Sequence, residues 1–473
     1  MIPLSLVSAP SDDRIDADAV RHALRAAVQQ EIQSMNGRQQ VRVVSVEVPA
    51  AVDPLAWGAV QTQAPFVYWR SRTTNSTYAI VGAAQQWHGA SAPKTNSGAG
   101  IIPASAVARL TPWLDRLPPE VRMWGGARFD PRSAREDAWA DFGTWTFMLP
   151  RFTLHRSGST AHLHATLVAP RDTQEREAVL RQVDALRFPN TPDAHADAHR
   201  LQRTDRPTRA DWMKQVRAAV QAIEDEQIRK VVLARAVDLH FDHALMPWAL
   251  LHRLQQETPQ CTAFGWQPEH PGPAFIGATP ERLFQMRGDT LRTEAIAGTR
   301  PRGDTPANDS MLRHELLHSD KDRREHAFVQ DAIVDALAPL VTDVNVPGAP
   351  SELALQRKRH LRSEITATLR GATSPLDVLN ALHPTPAVGG TPTDEARAFI
   401  RTHESFDRGW YAGPVGWLTR DAAEMLVAIR SALVNHDTLT LYSGAGIVEG
   451  SDPASEWNEI ENKLADFKAA LER

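Results

Sequence analysis

The chain has 473 residues, a formal net charge of −5, 42% hydrophobic and 23% charged residues, and a single cysteine. Such near-average fractions exclude wholesale disorder, collagen-like and coiled-coil organisation, and a mildly negative charge argues against a nucleic-acid partner. Cys261 alone cannot form an internal disulfide or a CxxC metal knot, which fits a reducing, cytoplasmic compartment.

The amino-terminal MIPLSLVSAPSDDR lacks the basic and apolar segments of a signal peptide. No apolar run approaches the roughly 20 residues of a membrane span, so a soluble protein without a membrane partner is expected. Further along, Val41–Val48 alternates as a strand, Thr144–Leu154 offers two strand-like pieces split by Pro150, and Ala161–Val168 is another strand. The polar, proline-punctuated stretch Phe188–Arg209 reads as the connection between two portions, 1–209 and 210–473, which together make one large unit. Beyond it, Trp212, Val216, Val220 and Ile223 give Asp211–Gln227 a helical period. Lys230–Phe241 reads as a strand, Met246–Glu257 as a short helix, and Cys261–Trp266 and Ala274–Ala278 as strands. Leu283–Met286 and Thr290–Ile296 flank Arg287-Gly288-Asp289 as a hairpin, while Ser310–Leu337 and Ala454–Leu471 each read as a long helix. This mixture predicts an α/β or α+β enzyme.

Two of these helices carry carboxylates in unexpected places. In the last one, Trp457, Ile460, Leu464, Phe467 and Leu471 form the buried stripe, and Glu456, Glu459 and Lys463 run along its edge. That row is either a solvated edge with a Glu459–Lys463 pair or part of a site. In the other, Asp322, Glu325 and His326 share a face that continues as Val329, Ile333 and Ala336. Carboxylates entering a buried face need a compensating cation. Either Arg323 or Arg324 supplies it, or a hard ion does; glutamates from two helices, without Cys or clustered His, suit magnesium. The glycine-rich SGAGIVEGS (Ser443–Ser451) and AIAGTRPRG (Ala295–Gly303) are tight turns or anion cradles, and HPTPAVGGTP (His383–Pro392) is a rigid loop. Without GxxxxGK[ST], HExxH or GxSxG, nucleotide-triphosphatase, zincin and serine-hydrolase readings fall away.

Eight segments then occur in the order seen in chorismate-utilising enzymes. They are KVVLAR (Lys230–Arg235), FIGATPERLF (Phe275–Phe284), TEAIAGTRPRG (Thr293–Gly303) and SDKDRREH (Ser319–His326). LHPTPAVGGTP (Leu382–Pro392), FDRGWYAGPVGW (Phe406–Trp417), AIRSA (Ala428–Ala432) and SGAGIVEGSDPASEWNEIENKL (Ser443–Leu464) follow. From Asp211 to Arg473 the chain resembles that family throughout; the first half does so only loosely, through WGGARFDP (Trp124–Pro131). The resemblance implies an α+β fold, an α/β sandwich of two packed antiparallel sheets surrounded by helices. The active-site cleft would be formed mainly by the second half.

The resemblance also assigns roles. Lys230 matches the family lysine that activates water at C2 of chorismate, which requires a pKa lowered by desolvation or neighbouring cations. Glu281 matches the general acid at the C4 hydroxyl, which requires a raised pKa. Glu325 and Glu459 match the magnesium ligands, with Glu456 and Asp322 at neighbouring or supporting positions, the ion clamping the ring carboxylate and Lys463 balancing charge. Arg430 and Tyr411 match positions that hold the enolpyruvyl carboxylate, helped by the backbone at Gly444. Gly298, Thr299 and His360 match positions lining the pocket. Taken singly, Lys230 also reads as surface charge and Glu281 as a partner of Arg282.

Among the branches of the family, aminodeoxychorismate synthases commonly carry a nucleophilic lysine where Ala297 stands. Lys230 favours water over ammonia and so argues against anthranilate synthase. TEAIAGT in place of TEPLAGT, and Asp322 in place of a glutamate of an ExxE pattern, favour the isochorismate synthases; Tyr411 fits the salicylate branch as well. The expectation is a magnesium-dependent isomerase of the menaquinone type, acting on chorismate without a glutamine amidotransferase subunit. Its alternatives are a salicylate synthase, a siderophore-pathway isochorismate synthase and an inactive chorismate-binding subunit.

Overall fold

The computed structural model describes residues 16–89, 100–133, 136–189, 199–371 and 373–472. The amino-terminal stretch weighed as a signal peptide, and residues 190–198 of the expected connection, lie outside them.

Among the described residues the strands join through antiparallel ladders into one sheet of 20 strands. The long strand Trp145–Ser157 is its branch point. Ser76–Gly89 runs along one edge of it from Ser157 to Trp145. On the other edge, Met123–Ala127 pairs with residues 145–148 and Thr160–Ala169 with residues 152–157. Pro150 falls in the gap between these two partners and opposite a bulge between Ala83 and Gln85. A missing N–H costs least at such a place, so one strand passes through the proline expected to split it.

Two arms lead from the branch point into the second half. One passes through Phe66–Arg70, Thr262–Gln267, Ala274–Thr279, Ser431–Asn435 and Thr438–Ile447 to Lys230–Phe241. The other passes from Met123–Ala127 through Pro414–Leu418, Ala422–Val427, Arg282–Arg287 and Thr290–Pro301 to Lys358–Leu369. Aromatic rings join the arms: Trp266 lies 5.3 Å from Trp410, and Phe275 lies 5.1 Å from Trp139. Thr262–Gln267 and Ala274–Thr279 are buried at every position, as central strands covered on both faces should be. Core side chains from both halves of the sequence form one apolar cluster.

The glycine-rich segments read as turns or cradles run as strand as far as Pro301 and Ile447, and three further elements differ from the sequence pattern. Arg200–Arg206, inside the expected connection, is a strand that pairs with Lys230–Phe241; its exposed, polar residues on an edge have the composition of a linker. Ser310–Leu337 is broken into Pro306–His318 and Asp320–Leu337, because the Ser319 hydroxyl accepts from the Asp322 backbone N–H at 3.2 Å and caps a new helix. The carboxy-terminal pattern likewise divides at Leu464 into Pro453–Lys463 and Ala465–Leu471. Arg209–Glu224, capped by Thr208, and Lys230–Phe241 form where their periodicity places them. Among the described residues no helix is long and apolar enough to cross a membrane.

Candidate active site

All thirteen residues singled out from the sequence line one cavity of about 220 Å³. The start of Lys230–Phe241 supplies Lys230, which is buried rather than a surface charge. On the neighbouring strand Gly446 makes the room: a Cβ there would lie 3.0 Å from Lys230 Cε and 3.3 Å from Glu325 Oε1. Lys230 Nζ donates to Glu325 Oε1 at 2.9 Å. Its close charged neighbour is therefore a carboxylate; of the desolvation or neighbouring cations expected from the sequence, the burial is present.

Glu281 follows the strand Ala274–Thr279 and is buried. Arg282 does not pair with it; that guanidinium lies 3.1 Å from Glu294 and 3.5 Å from Glu424. Among the described residues the Glu281 carboxyl has no hydrogen-bond or ion-pair partner. Burial, and then the charge of Glu294, push it up to about 7, against the pull of Lys230, Lys463 and Arg430.

Arg430 sits between the strands Ala422–Val427 and Ser431–Asn435 with φ +49°, a left-handed conformation costly for a long side chain. Its Nη2 lies 3.1 Å from His360 Nε2, and Nη1 lies 3.5 Å from Asp466. The guanidinium can only donate, so His360 Nε2 accepts and Nδ1 carries the ring proton. That proton faces Thr299 Oγ1 at 3.0 Å and the Gly298 carbonyl at 3.2 Å. Burial, and then Arg430, hold this imidazole well below the usual histidine range. Gly298, with φ +69°, is the extra residue of a bulge; a Cβ on it would lie 3.2 Å from Asp322 Cβ.

The Tyr411 ring stacks on Tyr442 at 5.3 Å, and burial pushes its hydroxyl pKa up. A Cβ at Gly444 would lie 3.1 Å from the Tyr411 hydroxyl, so only glycine leaves that oxygen clear. Lys463 Nζ donates to the Gly444 carbonyl at 2.9 Å and pairs with Glu459 at 2.6 Å. The Glu459–Lys463 pair of the helix edge forms, and the edge lines the cavity instead of being simply solvated. Asp322 takes its cation from Arg300 on the strand Thr290–Pro301, at 2.7 Å, whereas Arg323 and Arg324 are exposed.

The Glu325, Glu456 and Glu459 carboxylates share this cavity wall. Burial, and then Glu459, push Glu456 up to about 7, while Lys463 draws Glu459 below the ordinary range. Clustered carboxylate oxygens have the chemistry that a hard divalent cation takes. Among the described residues no three His, Cys, Asp or Glu side chains converge as a ligand set. Binding an ion there requires Lys230 and Lys463 to give up Glu325 and Glu459. Four more lining residues, Arg300, Ala387, Val388 and Phe467, sit in motifs or in the buried stripe read from the sequence, which gives them no role in the site. Asp466, which buries its carboxylate against Arg430, is likewise silent because it lies beyond the helix break at Leu464.

The sequence profile of the chorismate binding enzymes matches residues 25–472. The chain is 37% identical over 374 residues to the chloroplastic isochorismate synthase 2 of Arabidopsis thaliana. That match covers 76% of this chain and 66% of the plant protein, so the chain spans about two thirds of that relative. It is 35% identical over 471 residues to the salicylate biosynthesis isochorismate synthase of Pseudomonas aeruginosa, covering 95% of this chain and 94% of that one. The structure superposes on the menaquinone-specific isochorismate synthase from Escherichia coli with a TM-score of 0.81 and 30% identity, over 95% of this chain and 100% of the other.

Proposed function

The chain belongs to the chorismate-binding enzymes, and from that premise we propose that it is an isochorismate synthase, an isomerase that takes chorismate to isochorismate. The observation that supports this most is the pairing of a buried, partnerless acid with a buried lysine on one cavity wall, beside Arg430 and Lys463. A dicarboxylate substrate needs such cations, and an exchange of hydroxyl groups needs separate acid and base.

In this reading Lys230 takes the proton from a water whose oxygen bonds to C2. The ring double bonds shift, the C4–oxygen bond breaks, and Glu281 gives its proton to the departing hydroxyl, which leaves as water. Lys230 must be neutral and released from Glu325 to act. The two Arg430 donors meet the enolpyruvyl carboxylate in parallel, with the Tyr411 hydroxyl and the Gly444 backbone beside them. His360, Gly298 and Thr299 bound the ring. Magnesium would be held by Glu325, Glu456 and Glu459, with Asp322 beside them; when bound it supplies a cation for the ring carboxylate.

The whole-chain likeness to the Escherichia coli enzyme supports menaquinone formation as the onward route; a cytoplasmic location belongs to the same reading, from the single cysteine. The equally long match to the Pseudomonas aeruginosa enzyme supports a salicylate route as the second reading. Incubation of the protein with chorismate and magnesium, with and without ammonium, followed by chromatography, tests the activity. Isochorismate should form without ammonium and vanish in Lys230→Ala. Salicylate and pyruvate as main products would move the protein to the lyase branch, an ammonium-dependent aminated product would overturn the role of Lys230, and no product would leave a binding subunit.

A further inference from the structure

A second cavity, of about 190 Å³, lies on the branch-point strands of the first half and shares no residue with the catalytic one. One wall is aromatic. The His155 and Tyr78 rings stack at 4.2 Å with planes 6° apart, and Trp124 lies 5.4 Å from Tyr78. At the rim the Arg122 guanidinium lies 4.6 Å over Tyr78 and 4.4 Å over Trp417. Among the described residues it has no ion-pair partner, although Glu120 stands at the same rim. Two further polar atoms, His155 Nε2 and His164 Nδ1, are buried with no hydrogen-bond partner.

Each of these features points to a ligand of one kind. Buried polar atoms in native proteins are nearly always paired, so two orphan imidazole nitrogens at one cavity call for polar atoms from outside the chain. Burial, with Arg122 among the neighbouring charges, holds both rings down at about 4, so each is neutral and its orphan nitrogen donates or accepts according to the tautomer. Arg122, over the Tyr78 and Trp417 rings, supplies a positive charge without an ion-pair partner among the described residues. A cavity of roughly 150 Å³ is large enough for benzene, and this one admits a single substituted ring. A metal is set aside: although the His162 and His164 rings lie 6.1 Å apart, no three-ligand set exists among the described residues.

We propose that this cavity binds a small planar aromatic carboxylate. The ring lies along Tyr78, His155 and Trp124, the carboxylate meets Arg122, and the imidazoles of His155 and His164 complete the polar contacts. Benzoate is the probe, with cyclohexanecarboxylate as its non-planar control, read by saturation-transfer NMR on the full-length chain. Arg122→Ala, His155→Phe and Arg430→Ala are compared after each is shown folded by circular dichroism. Wild type and Arg430→Ala should bind benzoate alike, with affinity at least about tenfold weaker in Arg122→Ala and reduced in His155→Phe, which keeps the ring stack but loses the nitrogens. Should Arg122→Ala not fold, His155→Phe carries the same test. Binding lost in Arg430→Ala but kept in Arg122→Ala would place benzoate in the catalytic cavity and overturn the proposal. So would no benzoate signal, and equal binding of cyclohexanecarboxylate would overturn the aromatic wall.

Discussion

The first half and the catalytic cavity each bury a carboxyl group, Asp172 in one and Glu281 in the other, and treat it in opposite ways. In the first half Arg151 meets Asp172 through two bonds of 2.7 and 2.9 Å, and Asp172 also accepts the Val168 N–H at 2.7 Å. Nearby in character, burial pushes the Asp130 carboxyl up, but Arg397, Arg401 and the Arg132 N–H outweigh it and hold Asp130 below its ordinary value. In the catalytic cavity Glu281 is also buried, yet it has no partner and rises to about 7. Partnered burial fixes a charge and joins segments, whereas partnerless burial leaves a proton ready to move near neutral pH.

The largest effect should come from the partnerless group. Glu281→Gln removes the proton donor without changing shape, and general acid catalysis contributes about 10²–10⁴-fold. Turnover with chorismate should fall by that factor while the protein stays folded; unchanged turnover would remove Glu281 from the reaction. The opposite result is expected from the partnered region. Asp172→Ala leaves the buried Arg151 without a counter-charge, bonded only to the Thr166 carbonyl, a loss of about 3–5 kcal/mol, read as a lower urea midpoint. Turnover per folded molecule should be unaltered, and a small loss of stability would mean that Arg151 finds another partner.

The same contrast has a pH signature. Glu281 has a folded pKa of about 7 against an ordinary value of 4.5. Because the folded value is the higher one, its contribution to stability is present in full below pH 4.5 and is lost as pH rises through 7. The shift is worth about 3 kcal/mol. Glu281→Gln should therefore gain up to that amount on the wild type between pH 4.5 and pH 8, measured as the difference in urea unfolding at each pH. A constant difference across that range would show that Glu281 is ionised throughout.

How much of this could be read from the sequence depends on where each partner comes from. Strands such as Lys230–Phe241 are legible because their period is local. The passage of a strand through Pro150 is not, since it depends on where two other strands stop. Ser319 looks like one more residue of a helical pattern until its hydroxyl is seen capping Asp322. In the site, ordered motifs hold twelve of the thirteen candidates, all but His360, and the fold brings all thirteen to one cavity. What they cannot reveal is pairing over long range: Lys230 with Glu325, Asp322 with Arg300, and Arg282 turned towards Glu294 so that Glu281 is left alone. The second cavity is less legible still, since Tyr78, Arg122, His155 and His164 come from separate segments without a motif.

Asp466 lies between the two extremes and should give the smallest effect. It is buried, yet its contacts are long, 3.5 Å to Arg430 and 3.7 Å to Arg357. A long contact aims a guanidinium without neutralising it, and Arg430 must keep enough charge to meet a substrate carboxylate. His360 holds the other side of the same guanidinium at 3.1 Å. Asp466→Asn keeps the shape and removes the charge, so Arg430 should remain in place but be held by His360 alone. The KM for chorismate should rise about 3- to 10-fold, a change of about 1 kcal/mol, with kcat almost unchanged. A drop in kcat with KM constant would instead connect Asp466 to the acid–base step, and would mean that the pairing of buried charges extends further into the catalytic cavity than Glu281 suggests.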